Sequence, residues 1–195
     1  FQIDGYKVSN PIGFQGHDVA VQIYTAFAPM VHIGALERVA EELSLELLAV
    51  AAEPFAVSRS VLGTDASSSF TAILADVGGG TTDIAVLSLG GIVKSESIRV
   101  GGDRFDDSIV RYVKKEHNLL IGEQTAEKLK IQIGTAKLNG RSDSFDIRGR
   151  DLVSGLPRVI RMTSGDVYQA ISESIGLIVG AVKLVLEPTP PELSA

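Results

Sequence analysis

Nine consecutive residues constrain this chain more than any other stretch: Ala75-Asp76-Val77-Gly78-Gly79-Gly80-Thr81-Thr82-Asp83. They lie between two runs, 71–77 and 83–88, whose β-branched and apolar residues read as strands. Three successive glycines present backbone amides to a ligand with no Cβ in the way. Such amides can form an anion nest for phosphate without a lysine. Asp76 ends the incoming strand and can hold a Mg²⁺, through water because that ion sheds its waters reluctantly. Thr81 and Thr82 supply hydroxyls at the exit. The plainer alternative is a flexible hairpin turn. The flanking strands and the Asp and Thr residues weigh against it.

A phosphate site built from amides suits the composition. Lys plus Arg number 18 against 24 Asp plus Glu, a net charge of −6. Nucleic acid and anionic membranes are therefore not expected as default partners. Hydrophobic residues at 45% and charged residues at 22% fit a folded chain, not a disordered one. A length of 195 residues allows one domain or two small subdomains. With no cysteine, disulfides, thiolate zinc sites and Cys nucleophiles are excluded, and a reducing cytoplasm fits. A membrane span needs about 20 apolar residues. The best apolar stretch, 175–186, is shorter and holds Lys183, so no spanning helix is expected. The opening FQIDGYKV has neither the basic nor the apolar region of a signal peptide. It also has no Met, and PTPPELSA closes without a structural ending, so the chain reads as a piece of something longer.

Along the chain, residues 1–8 and 19–27 read as strands joined by a turn at Asn10-Pro11-Ile12-Gly13 and Gly16. Leu36, Val39, Ala40 and Leu43 mark one face of a helix over 34–43. Residues 47–51 read as a brief strand, and Glu53-Pro54 opens a second helix. Residues 63–69, GTDASSS, are the clearest linker. Runs 71–77, 83–88 and 92–99 make a β-meander with turns GGGTT and LGG. After Gly101-Gly102, Asp103 is expected to cap a helix over 104–116 with Asp106 three residues on, burying Phe105, Ile109 and Val113. A helix over 124–133 follows, with Ala126, Leu129 and Ile133 inward, then a hairpin of 143–149 and 157–162. Ser164 is expected to cap a long last helix with a stripe of Val167, Ile171, Ile175, Ile178, Val182 and Val185. His17, His32 and His117 are isolated and lack metal-ligand spacing. The order of elements predicts an α/β or α+β layered chain.

The stretch DVGGGTTDIAVLSLGGIVKSESIRVGGDRFDDSIV resembles the second phosphate loop of the actin-like ATPase superfamily, which includes DnaK-type chaperones, MreB and FtsA. GEQTAEKLKIQIGTA, GRDLVSGLPRVIRMTS and LEPTPPEL are most similar to MreB. The opening IDGYKVSNPIGFQGHDVAVQIYTAF instead resembles the latter part of the small inserted subdomain of FtsA. The resemblance implies an α/β actin-like ATPase (ribonuclease H-like) fold, partial: the second lobe plus part of the first. It divides the chain into 1–29, part of the inserted subdomain, and 30–69, the end of the first lobe. Residues 70–102 become the second-lobe sheet with the phosphate loop, 103–187 a helical subdomain, and 188–195 a truncated return.

By the same resemblance, Asp76, Gly78, Gly79, Gly80, Thr81 and Thr82 belong to the β/γ-phosphate loop, with Asp76 toward Mg²⁺. Gly101 and Gly102 match glycines near the ribose, and Glu127 and Lys130 match a helix pair flanking the adenosine. Without the resemblance, Glu127 and Lys130 are simply an i,i+3 pair on a solvated helix face. Glu53, in Ala52-Glu53-Pro54-Phe55, matches the MreB-like carboxylate that orients the attacking water, with Thr81 assisting. A carboxylate there can align water and accept its proton late in phosphoryl transfer. Read alone, it is an acidic residue favoured by the dipole of a first helical turn.

The resemblance further implies an intact protein that binds ATP with Mg²⁺ between two lobes and forms filaments in cell shape or cell division. It would be cytoplasmic or at the inner face of the cell membrane, reaching the membrane only indirectly or through other segments. Partners would be copies of itself, a tubulin-like division protein or other morphogenesis proteins, and no nucleic acid. A poorly hydrolysing adaptor of division or pilus assembly is the alternative that the FtsA-like opening favours and Glu53 opposes. A DnaK-type chaperone is a third. The superfamily's first phosphate loop and its adenosine loop have no match here, so the isolated chain is expected to bind ATP weakly or not at all.

Overall fold

The computed structural model describes residues 1–62, 71–88 and 91–187, apart from positions 9, 22, 24 and 26. The chain forms two compact units. Among the described residues, one contains Phe1–Leu74 and Ala85–Ser95; the other contains Ala75–Ile84 and the chain from Glu96 to Glu187.

In the first unit, β1 (Gln2–Ile3) lies between β2 (Tyr6–Lys7) and β3 (Val19–Ala20), antiparallel to both. The single strand expected over 1–8 is therefore two. Asp4 and Gly5 adopt positive φ, 49° and 83°, and reverse the chain. The Asp4 Oδ1 then accepts from the N–H groups of His17 and Asp18, which sets β3 beside β1. The strand expected over 19–27 is confined, among the described residues, to Val19–Ala20. Helix α1 (Met30–Glu42) begins four residues before the expected start, directly after Pro29. Residues 47–51 are not a strand: they are exposed and pair with no strand among the described residues. A short apolar run becomes a strand only where a neighbour completes its ladder. Helix α2 (Glu53–Leu62) opens at Glu53-Pro54 as expected. The expected linker, 63–69, lies outside the described residues.

The meander is present as β4 (Thr71–Val77), β5 (Thr82–Ser88) and β6 (Gly91–Ile98), in the order β4-β5-β6. The position of β5 explains its sequence. A central strand buries both faces, and Ile84, Ala85 and Val86 are each 0% exposed. The expected LGG turn falls largely outside the described residues.

The second unit holds α3 (Gly102–His117), β7 (Leu119–Leu120), α4 (Glu123–Ile133), β8 (Ser144–Asp151), β9 (Pro157–Thr163) and α5 (Ser164–Leu186). β8 and β9 pair antiparallel from Ser144–Thr163 to Arg150–Pro157, and β7 adds to the other edge of β8. Helical spacing brings Ile109 and Val113 of α3, Ala126, Leu129 and Ile133 of α4, and Val167 and Ile171 of α5 into one core. Ile147 and Met162 from the sheet close it. Each fully buried aliphatic side chain contributes about 1.5–3 kcal/mol.

Two expected caps are corrected. Helix α3 starts at Gly102 with Gly101 as N-cap and no side-chain cap, so Asp103 sits inside the first turn. Helix α5 is capped by Thr163, not Ser164: the Thr163 side chain accepts from Asp166 N–H, and Asp166 accepts from Thr163 N–H. Ser164 is instead buried, its N–H donating to the Asp143 carbonyl. Burial pushes the Asp166 carboxyl up, but the Thr163 hydroxyl and N–H outweigh it and hold it below the ordinary value. α5 is also longer than its apolar stretch implied. At 23 residues it is, among the described residues, the one helix long and apolar enough to cross a membrane by length and composition. Its Val167 and Ile171 are nonetheless part of the packed core.

Candidate functional site

The glycine loop is held by the start of α3. After β4 ends at Val77, Gly78 N–H donates to the Thr81 carbonyl at 2.9 Å, closing a tight turn. The Gly78 carbonyl accepts from Gly102 N–H at 2.9 Å, and the Gly79 carbonyl from Asp103 N–H at 2.8 Å. The first N–H groups of a helix have no partner within it. Here loop carbonyls satisfy two of them, which explains why α3 needs no side-chain cap. No peptide is cis among the described residues. In a trans peptide the N–H points opposite to the preceding C=O. With the Gly78 and Gly79 carbonyls aimed at α3, the N–H groups of Gly79 and Gly80 therefore point away from it. Residues 78–81 are exposed, and these two amides donate to no group among the described residues. Adjacent, free and parallel, they are suited to an anion such as phosphate.

Two contacts pin the loop further. Thr82 is fully buried, and its hydroxyl donates to the Val100 carbonyl at 2.6 Å. Of the two threonines read as ligand contacts, Thr82 thus ties the loop's exit to the segment entering α3, while Thr81 is exposed. Gly101 packs against the loop itself: a Cβ there would lie 2.5 Å from the carbonyl oxygens of both Gly78 and Gly79. The chain is glycine at 101 because of this approach, not because of its dihedrals.

Lys130 reaches the same place from α4. Its Nζ donates to the Gly102 carbonyl at 3.2 Å and to Asp106 Oδ2 at 2.7 Å. The i,i+3 pair with Glu127 is not the ion pair that forms; Glu127 is exposed, one turn away on the same helix. Asp106 is a member of this cluster that sequence reasoning assigned only to a helix cap. It lies 24 residues from Lys130, and no local pattern links the two.

Gly78, Gly79, Gly80, Thr82, Gly101, Gly102 and Lys130 thus converge. Asp76 is half-buried near the end of β4, two residues before the loop. It stands without a set of fellow ligands: among the described residues no three His, Cys, Asp or Glu gather as a metal group. A single carboxylate fits Mg²⁺, which keeps several waters and takes other ligands from nucleotide phosphates. Glu53 occupies the first turn of α2, in the first unit.

Comparison with known proteins identifies the family. The family profile described as MreB/Mbl protein matches residues 20–195. The cell shape-determining protein Mbl of Bacillus subtilis is 55% identical over 123 residues, 63% of this chain and 37% of that protein. The cell shape-determining protein MreB of Escherichia coli is 42% identical over 143 residues, 73% of this chain and 41% of that protein. The crystal structure of MreB5 of Spiroplasma citri bound to ADP superposes with a TM-score of 0.77 at 36% identity, covering 86% of this chain and 50% of that one. The same protein bound to AMPPNP matches equally well. The chain spans half or less of the length of these relatives. Its fold is a partial actin-like ATPase fold, and the chain belongs to the MreB/Mbl family.

Proposed function

We propose that the intact protein is an ATP-binding, filament-forming bacterial actin-like protein of cell shape. The observation that carries this reading is the loop: two free amides, at Gly79 and Gly80, presented by carbonyls anchored on α3. The nucleotides in the related Spiroplasma structures, ADP and AMPPNP, support the ligand class. In this reading the loop amides take the β- and γ-phosphates and Asp76 holds Mg²⁺ through water. Gly101 and Gly102 line the passage beside the sugar, and Glu127 and Lys130 flank the adenosine. Glu53, with Thr81, orients the water that attacks the γ-phosphate. Hydrolysis then changes the contacts between copies in a filament, in the cytoplasm or at the inner face of the membrane. Three regions serve these roles: the end of a first lobe at 30–69, the loop-bearing sheet at 70–102 and the helical subdomain at 103–187; the FtsA-like opening at 1–29 precedes them.

The opening favours a second reading. Residues 1–19 lie outside the family match and contribute β1, β2 and the start of β3 to a small sheet of their own. An adaptor that binds nucleotide but hydrolyses it poorly, docking on a tubulin-like division protein, would use such an insertion.

Calorimetric titration of the intact protein with Mg-ATP, followed by phosphate release and sedimentation, separates the two. Tight binding, hydrolysis and nucleotide-dependent pelleting support the filament reading. Binding without hydrolysis or pelleting supports the adaptor, and no binding removes both.

A further inference from the structure

The half-buried ion pair behind the loop has a purpose that the phosphate site alone does not explain. Asp106 is 9% exposed, and its Oδ1 is buried and accepts from no group among the described residues. Its whole compensation comes through Oδ2, from Lys130 at 2.7 Å. Lys130 in turn donates to the Gly102 carbonyl. Gly102 N–H donates to the Gly78 carbonyl, and the next amide, that of Asp103, to Gly79. One chain of contacts therefore runs from α4 through Lys130 to the first turn of α3 and on to the loop. A Cβ at Gly102 would lie 3.3 Å from the Lys130 Nζ, so the ammonium is packed against this backbone, not merely near it.

From these contacts we infer that Asp106 is a positioning residue: it holds the Lys130 ammonium against Gly102 and so fixes the loop carbonyls that aim the Gly79 and Gly80 amides outward. This rests on the nucleotide-binding reading above, but its first consequence does not need a nucleotide. A lysine released from Asp106 is a flexible, strongly hydrated cation that prefers water to a backbone carbonyl. A carboxylate released from Lys130 is an uncompensated buried charge, which is the more damaging loss.

The test uses the intact protein with Asp106→Asn, Lys130→Met and the double variant. Hydrogen exchange at the Gly102 and Asp103 amides is expected to quicken in both single variants, with far-ultraviolet circular dichroism unchanged. Mg-ATP affinity is expected to fall about tenfold in each, the size of an ordinary coupling between contacting residues. In the double variant it should fall no further, and its melting temperature should exceed that of Lys130→Met. Asp106→Glu, which keeps the charge, should recover part of the affinity. Where Asp106→Asn does not fold, Asp106→Glu and Lys130→Met carry the same readouts. Wild-type exchange at Gly102 and Asp103 in the variants, or affinity losses that multiply in the double variant, would overturn the inference. If the wild type binds no Mg-ATP, the functional reading fails, while the exchange rates still decide the role of Asp106.

Discussion

A Cβ on Gly101 would stand 2.5 Å from the carbonyl oxygen of Gly79, a separation that side chains do not adopt. The neighbour is backbone, so nothing can rotate aside. Gly101→Ala should therefore displace the loop from α3 and cost roughly 1–3 kcal/mol, as overpacking does. It should also weaken Mg-ATP binding. Gly79→Ala is the contrasting case. Its Cβ would meet the Asp103 carboxylate at 3.3 Å, and that side chain can move. Thermal melts and calorimetric titrations of the two variants should rank Gly101→Ala as clearly the worse. Equal behaviour would mean that the contact between Gly101 and the loop is loose in solution.

Thr82 should matter to stability more than its place among the nucleotide-loop residues implies. Thr82→Val keeps the shape but leaves the Val100 carbonyl without its 2.6 Å donor in a fully buried position. Such an unsatisfied group costs about 1–3 kcal/mol. Thr82→Ser retains the hydroxyl and should cost less. Denaturant melts distinguish them; a Val variant as stable as wild type would show that Val100 finds another partner.

These two residues also show what was legible in the sequence. The strands 71–77, 83–88 and 92–99 were readable because glycine punctuation and β-branched runs are local signals, and they fell within a residue of the observed β4, β5 and β6. The inward faces of α3 and α4 were readable for the same reason: Ile109, Val113, Ala126, Leu129 and Ile133 follow the helical period. Asp103 misled because an acidic residue before a helix is a good cap in isolation. Here the Gly78 and Gly79 carbonyls reached the amides first, and that contact spans more than twenty residues of chain. The link between Lys130 and Asp106 was invisible for the same cause. The glycines at 78–80 were legible as a loop, yet the orientation of their amides depends on α3 and could not be read locally.

The turn between β8 and β9 makes stability depend on acid. Asp151 Oδ1 accepts from the N–H groups of Val153 and Ser154, and Oδ2 from Arg158 at 2.8 Å. The Ser154 and Val153 amides together with the Arg158 guanidinium hold its carboxyl far below the usual carboxylate range. A depressed folded-state pKa gives stability that is complete above the unfolded value, about 3.9, and is lost as pH falls through the folded one. The melting temperature of the wild type should therefore drop steadily below about pH 4. Asp151→Asn should start lower at neutral pH and show a shallower decline. Parallel profiles for the two proteins would remove Asp151 as a source of the acid dependence.

Variants at Glu53 test catalysis apart from binding. It lies in the first turn of α2, where an acidic residue is favoured by the helix dipole whatever else it does. If it orients the attacking water, its contribution belongs mainly to the transition state. Glu53→Ala in the intact protein should then lower kcat for ATP hydrolysis by about 10²–10⁴-fold, the range for general-base assistance. Nucleotide affinity should stay nearly unchanged, because the proposed reading rests the ground-state phosphates on the loop amides. Gly101→Ala should show the opposite pattern, losing affinity first. Single-turnover hydrolysis with saturating Mg-ATP measures the first quantity and calorimetry the second. Glu53→Gln adds a control: it keeps the size and the hydrogen-bonding oxygen but cannot take the proton, so its rate should resemble that of Glu53→Ala. Wild-type turnover in both variants would make Glu53 a first-turn residue of α2 and nothing more. The poorly hydrolysing adaptor would then describe the intact protein better than the filament-forming ATPase.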